Sequence, residues 1–127
     1  MAHRFQKHYT VDEARSLLPQ IRAWLGEIQE LQRRLKQLDK RLGQMIEGGV
    51  DAGGESVNSQ IKLLANLQRV LKEFEQREIQ IKDLDRGLID FPAIMSEREV
   101  FLCWEQDDED IEFWHDLDSG YAGRERL

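Results

Sequence analysis

A pentapeptide occurs twice, as Asp83-Leu84-Asp85-Arg86-Gly87 and as Asp116-Leu117-Asp118-Ser119-Gly120. Alternate aspartates at the end of a strand can do one of two things. Their carboxylates can accept backbone N–H groups a few residues on, forming Asx turns that glycine completes with a positive φ. Alternatively they can aim oxygens at one hard cation such as calcium or manganese. Turn chemistry accounts for the glycines as well as the aspartates and is the stronger reading. The cation reading gathers Asp83, Asp85, Asp90, His115 and Asp118 into a mixed nitrogen–oxygen site, with a divalent cation as cofactor. Against it, the spacing is one residue short of a calcium-loop start and the closing glutamate is missing. No second histidine stands close to His115.

Lys82, Trp104 and Trp114 are the candidates for contact with a ligand or partner. The two tryptophans fall on adjacent predicted strands and can meet as a cross-strand pair. Core packing is the simpler role for both. Cys103 alternates away from Trp104 and reads as buried, with no neighbouring Lys or His to activate the thiol. No nucleophile–base triad can be assembled. His3 and His8 lie in a polar segment, Met1–His8, that reads as loosely ordered and gives them no placement. The basic run Arg33, Arg34, Lys36, Lys40 and Arg41 could meet phosphates. Glu30 and Asp39 interrupt it, and no aromatic residue accompanies it for stacking. The glycines of EGGVDAGGE lack the Lys, hydroxyl and preceding strand of a phosphate loop.

Two long amphipathic segments precede these residues. Thr10 and Glu13 form a capping box, with Tyr9 and Ala14 placed as a hydrophobic staple. Apolar residues then alternate in steps of three and four from Ala14 through Leu17, Ile21, Trp24, Ile28, Leu31, Leu35, Leu38 and Leu42 to Met45. That is a coiled-coil seam, so one helix is expected over about 11–46, kinked by Pro19. Leu18 and Leu25 thicken the stripe before Ile28, where more than one partner is needed. The glycine-rich loop follows. Ser56 then caps a second helix to about Glu78, whose apolar face is wider than a narrow seam can cover. Folded antiparallel, Ile46 faces Val57, Glu78 ends near Leu25, and Val11–Trp24 overhangs by about four turns.

From Ile79 the pattern changes to short strands. Leu88–Phe91 reads as a strand whose pairing Pro92 limits. Glu99–Glu105 is apolar on both faces and reads as a central strand, with Ile111–Trp114 returning beside it. Tyr121–Leu127 reads as a tail.

The runs GLIDFPA (Gly87–Ala93), LCW (Leu102–Trp104) and WHDLDSGYAGR (Trp114–Arg124), with YTVDEARSLLP (Tyr9–Pro19) at the start, resemble a bacterial family known as domain of unknown function 2203. The resemblance covers nearly the whole chain. It implies no established activity, substrate or catalytic residue. The family pattern has a glycine in the turn before the LCW strand, where this chain has Ser96, Glu97 and Arg98.

The sequence therefore predicts a single α+β domain over residues 1–127. A long antiparallel helical hairpin, coiled-coil-like over about 11–78, packs at its base on a small antiparallel meander of three or four strands over about 79–118. One cysteine, no signal-peptide core and no membrane-spanning run point to the cytoplasm. Residues 1–50 carry nine Lys/Arg against six Asp/Glu, while residues 79–127 carry five against fourteen. The acidic end disfavours nucleic acid and favours cations or basic partners. The leading function is a non-enzymatic interaction or scaffold protein with an unknown protein partner. The uncovered face of the second helix predicts a homodimer. A metal-binding module or metal-dependent enzyme, and a nucleic-acid factor using the basic arm, are the alternatives.

Overall fold

The computed structural model describes residues 2–49 and 53–127. Two helices, α1 (Val11–Glu47) and α2 (Gly53–Gln76), are followed by strands β1 (Gln80–Asp83), β2 (Leu88–Met95), β3 (Arg98–Glu105), β4 (Phe113–Asp116) and β5 (Glu125–Arg126). The strands form one antiparallel sheet in chain order. The expected α+β hairpin-on-sheet architecture is the one observed, with two differences in the sheet. It has five strands, because the presumed tail returns to pair Arg126 with Phe113 and Glu125 with Trp114. β4 also starts two residues later than expected, which brings His115 into the sheet opposite Phe101.

α1 begins at its capping box. Thr10 N–H donates to Glu13 Oε1 at 3.2 Å and Glu13 N–H to Thr10 Oγ1 at 3.1 Å. The helix runs through Pro19, which lies on its exposed side. The hairpin is antiparallel: Asp39 meets Gln60, Glu27 meets Arg69, and Trp24 packs edge-on against Phe74 at 5.6 Å. Trp24 thus lies inside the hairpin, and the overhang is shorter than the sequence suggests. α2 starts three residues before Ser56, which sits within the helix rather than capping it. The expected facing of Ile46 and Val57, and the loop centre at 50–52, lie outside the described side chains and residues.

The thickened stripe of α1 packs where it was expected to. Ala14, Leu18, Ile21, Leu25 and Ile28 are buried in one core with Ile89, Phe91, Ala93, Val100, Leu102 and Trp104 from a single face of the sheet. Polar contacts lock the register. Arg22 donates to the carbonyls of Asp108 and Glu109, each at 3.0 Å, and Arg15 to that of Ile111 at 2.9 Å.

β2 does not stop at Pro92. β1 pairs only as far as Asp90, so the missing N–H falls on an edge that no strand occupies. The Pro92 carbonyl there accepts Tyr9 N–H at 2.7 Å. β2 and β3 join through a two-residue turn, Ser96 and Glu97, with φ of +49° and +65°. Both residues positive is the type I′ turn that suits the twist of a hairpin, formed here without glycine. A non-glycine residue in this region costs roughly 1 kcal/mol. Ser96→Asn with Glu97→Gly should therefore raise stability by about 1 kcal/mol in urea titration. An unchanged or lower midpoint would mean that the turn is not strained.

The N-terminal segment is ordered, contrary to the sequence reading. Two carboxylates from distant elements hold it. Glu99 accepts the N–H groups of Arg4 (2.7 Å) and Phe5 (2.9 Å) and meets His8 Nε2 at 2.7 Å. Partial burial opposes ionisation of Glu99, but these donors outweigh it and hold its carboxyl down to about 2. Glu78 accepts the N–H groups of Gln6 and Lys7. Glu78 itself has φ of +57° and closes α2, with Ile79 N–H reaching back to the Phe74 carbonyl at 3.0 Å. Phe5 lies on Phe101, with ring centroids 5.4 Å apart, so the segment straps the sheet face turned away from the helices.

Candidate functional site

That second face carries the buried polar groups. Strand alternation and register put Asp90, Cys103 and His115 side by side on β2, β3 and β4. All three are buried, with Asp90 and His115 each 2% exposed. His115 Nε2 lies 2.9 Å from Asp90 Oδ2, and His115 Nδ1 lies 2.7 Å from the carbonyl of Asp116. A carbonyl only accepts, so Nδ1 carries a proton. The contact between Nε2 and Oδ2 then holds one shared proton. Asp90 Oδ1 is buried without a hydrogen-bond partner.

Burial raises the pKa of Asp90; the neighbouring His115 and Lys82, and the Cys103 thiol, oppose the rise. The Cys103 thiol is pushed up to about 12, by burial first and then by the Asp90 carboxylate beside it; Arg124 opposes this. It is therefore a thiol at neutral pH and not a nucleophile. One imidazole nitrogen is on a backbone carbonyl and the other on Asp90. Phe101 covers the ring at 5.6 Å, and Lys82 Nζ lies 4.8 Å above Phe101. Arg124 sits 3.9 Å over the Phe113 ring and 4.2 Å over that of Tyr121. Sulfur, nitrogen and carboxylate oxygen lie within 4.8 Å of one another, so a soft divalent ion has a ligand set here. Lys82 and Arg124 place positive charge on the same cluster and work against a cation.

The five residues expected to converge on one cation do not do so. Asp90 and His115 come together, while Asp83, Asp85 and Asp118 stand apart from both groups of His, Cys and acidic residues close enough to share an ion among the described residues. Asp83 accepts Arg86 N–H at 3.1 Å, the Asx-turn contact. Asp118 is exposed and pairs with Arg4 at 3.2 Å, and Asp85 is exposed beside Gln29 and Lys36. The turns diverge because each lies at a different corner of the meander. Cys103 was read as buried, but its Asp90 and His115 neighbours were missed. The signal was present: Asp90 pairs with Cys103 once the two-residue turn fixes the register.

Lys82 is exposed and covers Phe101. Trp104 is fully buried, its Nε1–H donating to the Asp108 carbonyl at 3.0 Å, with Arg22 over the ring at 5.2 Å. Trp114 is half-buried opposite Leu102 rather than opposite Trp104, so the two indoles are diagonal neighbours on one face. Trp104 is a core residue, not a stacking platform. No helix among the described residues is long and apolar enough to cross a membrane.

A helical hairpin standing on a meander, with a proton-sharing polar cluster sealed beneath a strap, defines an α+β protein without an open catalytic cleft at that cluster. The chain belongs to the family described as "Uncharacterized conserved protein (DUF2203)", which it matches over residues 7–127. It is also similar to a serine–tRNA ligase of Synechococcus elongatus, 26% identical over 114 residues. That match covers 89% of this chain and 27% of the ligase, so the chain spans about a quarter of the relative's length. No solved structure matches it.

Proposed function

We propose that the protein is a non-enzymatic interaction module that works as a homodimer, its arm pairing with that of a second copy through α2. The observation that carries this is the outer face of α2. Val57, Ile61 and Leu64 are 44%, 59% and 45% exposed at spacings of four and three. Asn58, Ala65 and Gln68, also exposed, complete a face free of charge from 57 to 68. The inner residues Leu63, Leu67, Val70 and Phe74 already face the core. Two such faces crossing antiparallel about a two-fold axis set Ile61 against Leu64 of the other copy, and the hairpins form a coiled-coil-like four-helix bundle. This orientation also keeps the two acidic sheet ends apart, each with nine more acidic than basic residues. A charged hetero-partner finds no matching charge on this face. An equimolar mixture of Ile61→Cys and Leu64→Cys chains tests the geometry, because the native Cys103 is buried. Mild oxidation should cross-link the two variants to each other as a disulfide dimer. A chain that stays monomeric on denaturing gels while the wild type is dimeric would exclude the crossing at Ile61.

A second reading is favoured by the similarity to a ligase whose name includes tRNA. Arg34 and Arg41 line a surface cavity of about 270 Å³ with Gln37 and Ser59, and could contact a phosphate backbone. Salt-dependent retention on heparin, lost in Arg34→Glu with Arg41→Glu, would support it. Elution at low salt would remove it.

A further inference from the structure

His3, His8 and Glu99 have no part in the sealed cluster or in the arm. The strap brings them together at the sheet edge beside the β2–β3 turn. His8 Nε2 lies 2.7 Å from Glu99 Oε2, and the rings of His3 and His8 meet edge-on with centroids 5.1 Å apart. One nitrogen from each histidine and one Glu99 oxygen lie within 4.8 Å of one another. A cavity of about 530 Å³ opens beside them, lined by Ala2, His3, Glu97, Arg98 and Glu99.

We propose that His3, His8 and Glu99 form a binding site for a divalent transition ion, zinc as the reference case, with the cavity side open to a further ligand. Two imidazole nitrogens and one carboxylate oxygen are a three-residue set that zinc accepts while keeping a position for water. The flanking cations are engaged elsewhere. Arg4 pairs with Asp118, Arg98 pairs with Asp116 at 3.1 Å, and Lys7 lies over Tyr9. Glu97 adds a second carboxylate to the cavity wall. The site also has a fixed frame. Backbone N–H groups of Arg4 and Phe5 hold the Glu99 carboxylate, orienting the ligand as outer partners orient metal-bound carboxylates.

Ions and protons compete at this point. The contact between His8 and Glu99 is bridged by a proton, and a metal replaces that proton. Zinc at about 2.1 Å from each ligand in tetrahedral geometry needs the two atoms roughly 3.4 Å apart. The pair must open by roughly 0.7 Å, a movement within reach of side-chain torsions next to an open cavity. The bound ion would tie the strap to β3 through three side chains, so occupancy would fasten the N-terminal segment over the second face of the sheet.

The test uses the full chain freed of metal. Zinc titrated at pH 7.5 and followed by calorimetry should bind one equivalent with micromolar affinity. His3→Ala and His8→Ala should each weaken it by at least about tenfold, since even an outer-shell partner is worth about 10–100-fold. His3 is exposed, so its variant keeps the fold, which far-UV dichroism checks. Trypsin cleavage after Arg4 and Lys7 should slow by at least about tenfold with zinc in the wild type and not in His3→Ala, as expected for opening that binding suppresses. Absence of binding at millimolar zinc overturns the proposal. So does binding that His3→Ala leaves intact and Cys103→Ala abolishes, which would place the ion on the sealed cluster instead.

Discussion

Replacing His115 with alanine is expected to destabilise the protein by about 4 kcal/mol at pH 7, with a smaller loss at pH 5. Without the imidazole, Asp90 is a buried carboxylate with neither oxygen hydrogen-bonded. Breaking one side of a buried pair leaves an uncompensated charge, which typically costs about 3–5 kcal/mol. Proton uptake limits the cost. Neutralising a carboxyl of ordinary pKa about 3.9 at pH 7 takes about three units, or roughly 4 kcal/mol.

The sign of the pH dependence follows from burial, which raises the Asp90 pKa above its unfolded value. Its protonated form favours the folded state. That contribution is full below the unfolded pKa of about 3.9 and is lost as pH rises through the higher folded value. Asp90→Asn should behave differently from His115→Ala. The Asn amide can donate to Nε2 while Nδ1 still donates to the Asp116 carbonyl, so a change within about 1 kcal/mol is expected. Adding Asp90→Asn to His115→Ala should recover more than half the loss and remove its pH dependence. Urea midpoints for the four proteins at pH 5 and pH 7 decide the matter. A His115→Ala loss that is the same at both pH values would mean that cavity formation alone sets the cost.

Gly87→Ala is expected to cost about 3 kcal/mol, roughly 10 °C in melting temperature, while Gly120→Ala costs less, about 2 kcal/mol. The two glycines hold equivalent places in the repeated pentapeptide, with φ of +65° and +66°. Gly120, with ψ of −171°, lies in a region essentially confined to glycine, so its loss is backbone strain alone; the surroundings of the two differ. A Cβ on Gly87 would lie 2.5 Å from Gln106 Cβ and 2.6 Å from its Oε1, whereas one on Gly120 meets nothing within 4 Å. Gln106 cannot simply move aside, because its Oε1 accepts Gln29 Nε2 at 2.9 Å and so ties the turn to α1. Equal melting temperatures for the two variants would show that the first turn relaxes away from the helix.

The same pentapeptide shows how far the sequence carries. Aspartate and glycine identities were enough to read an Asx turn, and Asp83 makes that contact. They could not say that one copy packs under α1 and the other lies open, since that depends on Gln29 and Gln106, distant in sequence. Local signals performed well: the Thr10–Glu13 box, the thickened stripe up to Ile28 and the two apolar faces of β3 all appear as read. Boundaries carried the errors. Ending the fourth strand at Trp114 left His115 outside the sheet, hiding its pairing with Asp90. The strap was illegible because its donors are backbone N–H groups of residues 4–7, and its acceptors, Glu78 and Glu99, lie more than 70 residues away. Nothing in the residue types of a polar N-terminus announces such partners.

If the uncharged outer face of α2 joins two copies, as proposed, the mass of the particle in solution should show it. Light scattering coupled to size exclusion, at tens of micromolar protein, measures that mass. The wild type should have about twice the chain mass of 15.0 kDa. Ile61→Glu with Leu64→Glu, which sets like charges against each other across the two-fold, should elute at the single-chain mass with unchanged far-UV dichroism, because both side chains are exposed in the single chain. A wild type that remains at the single-chain mass, or a variant that remains at twice that mass, would contradict the account.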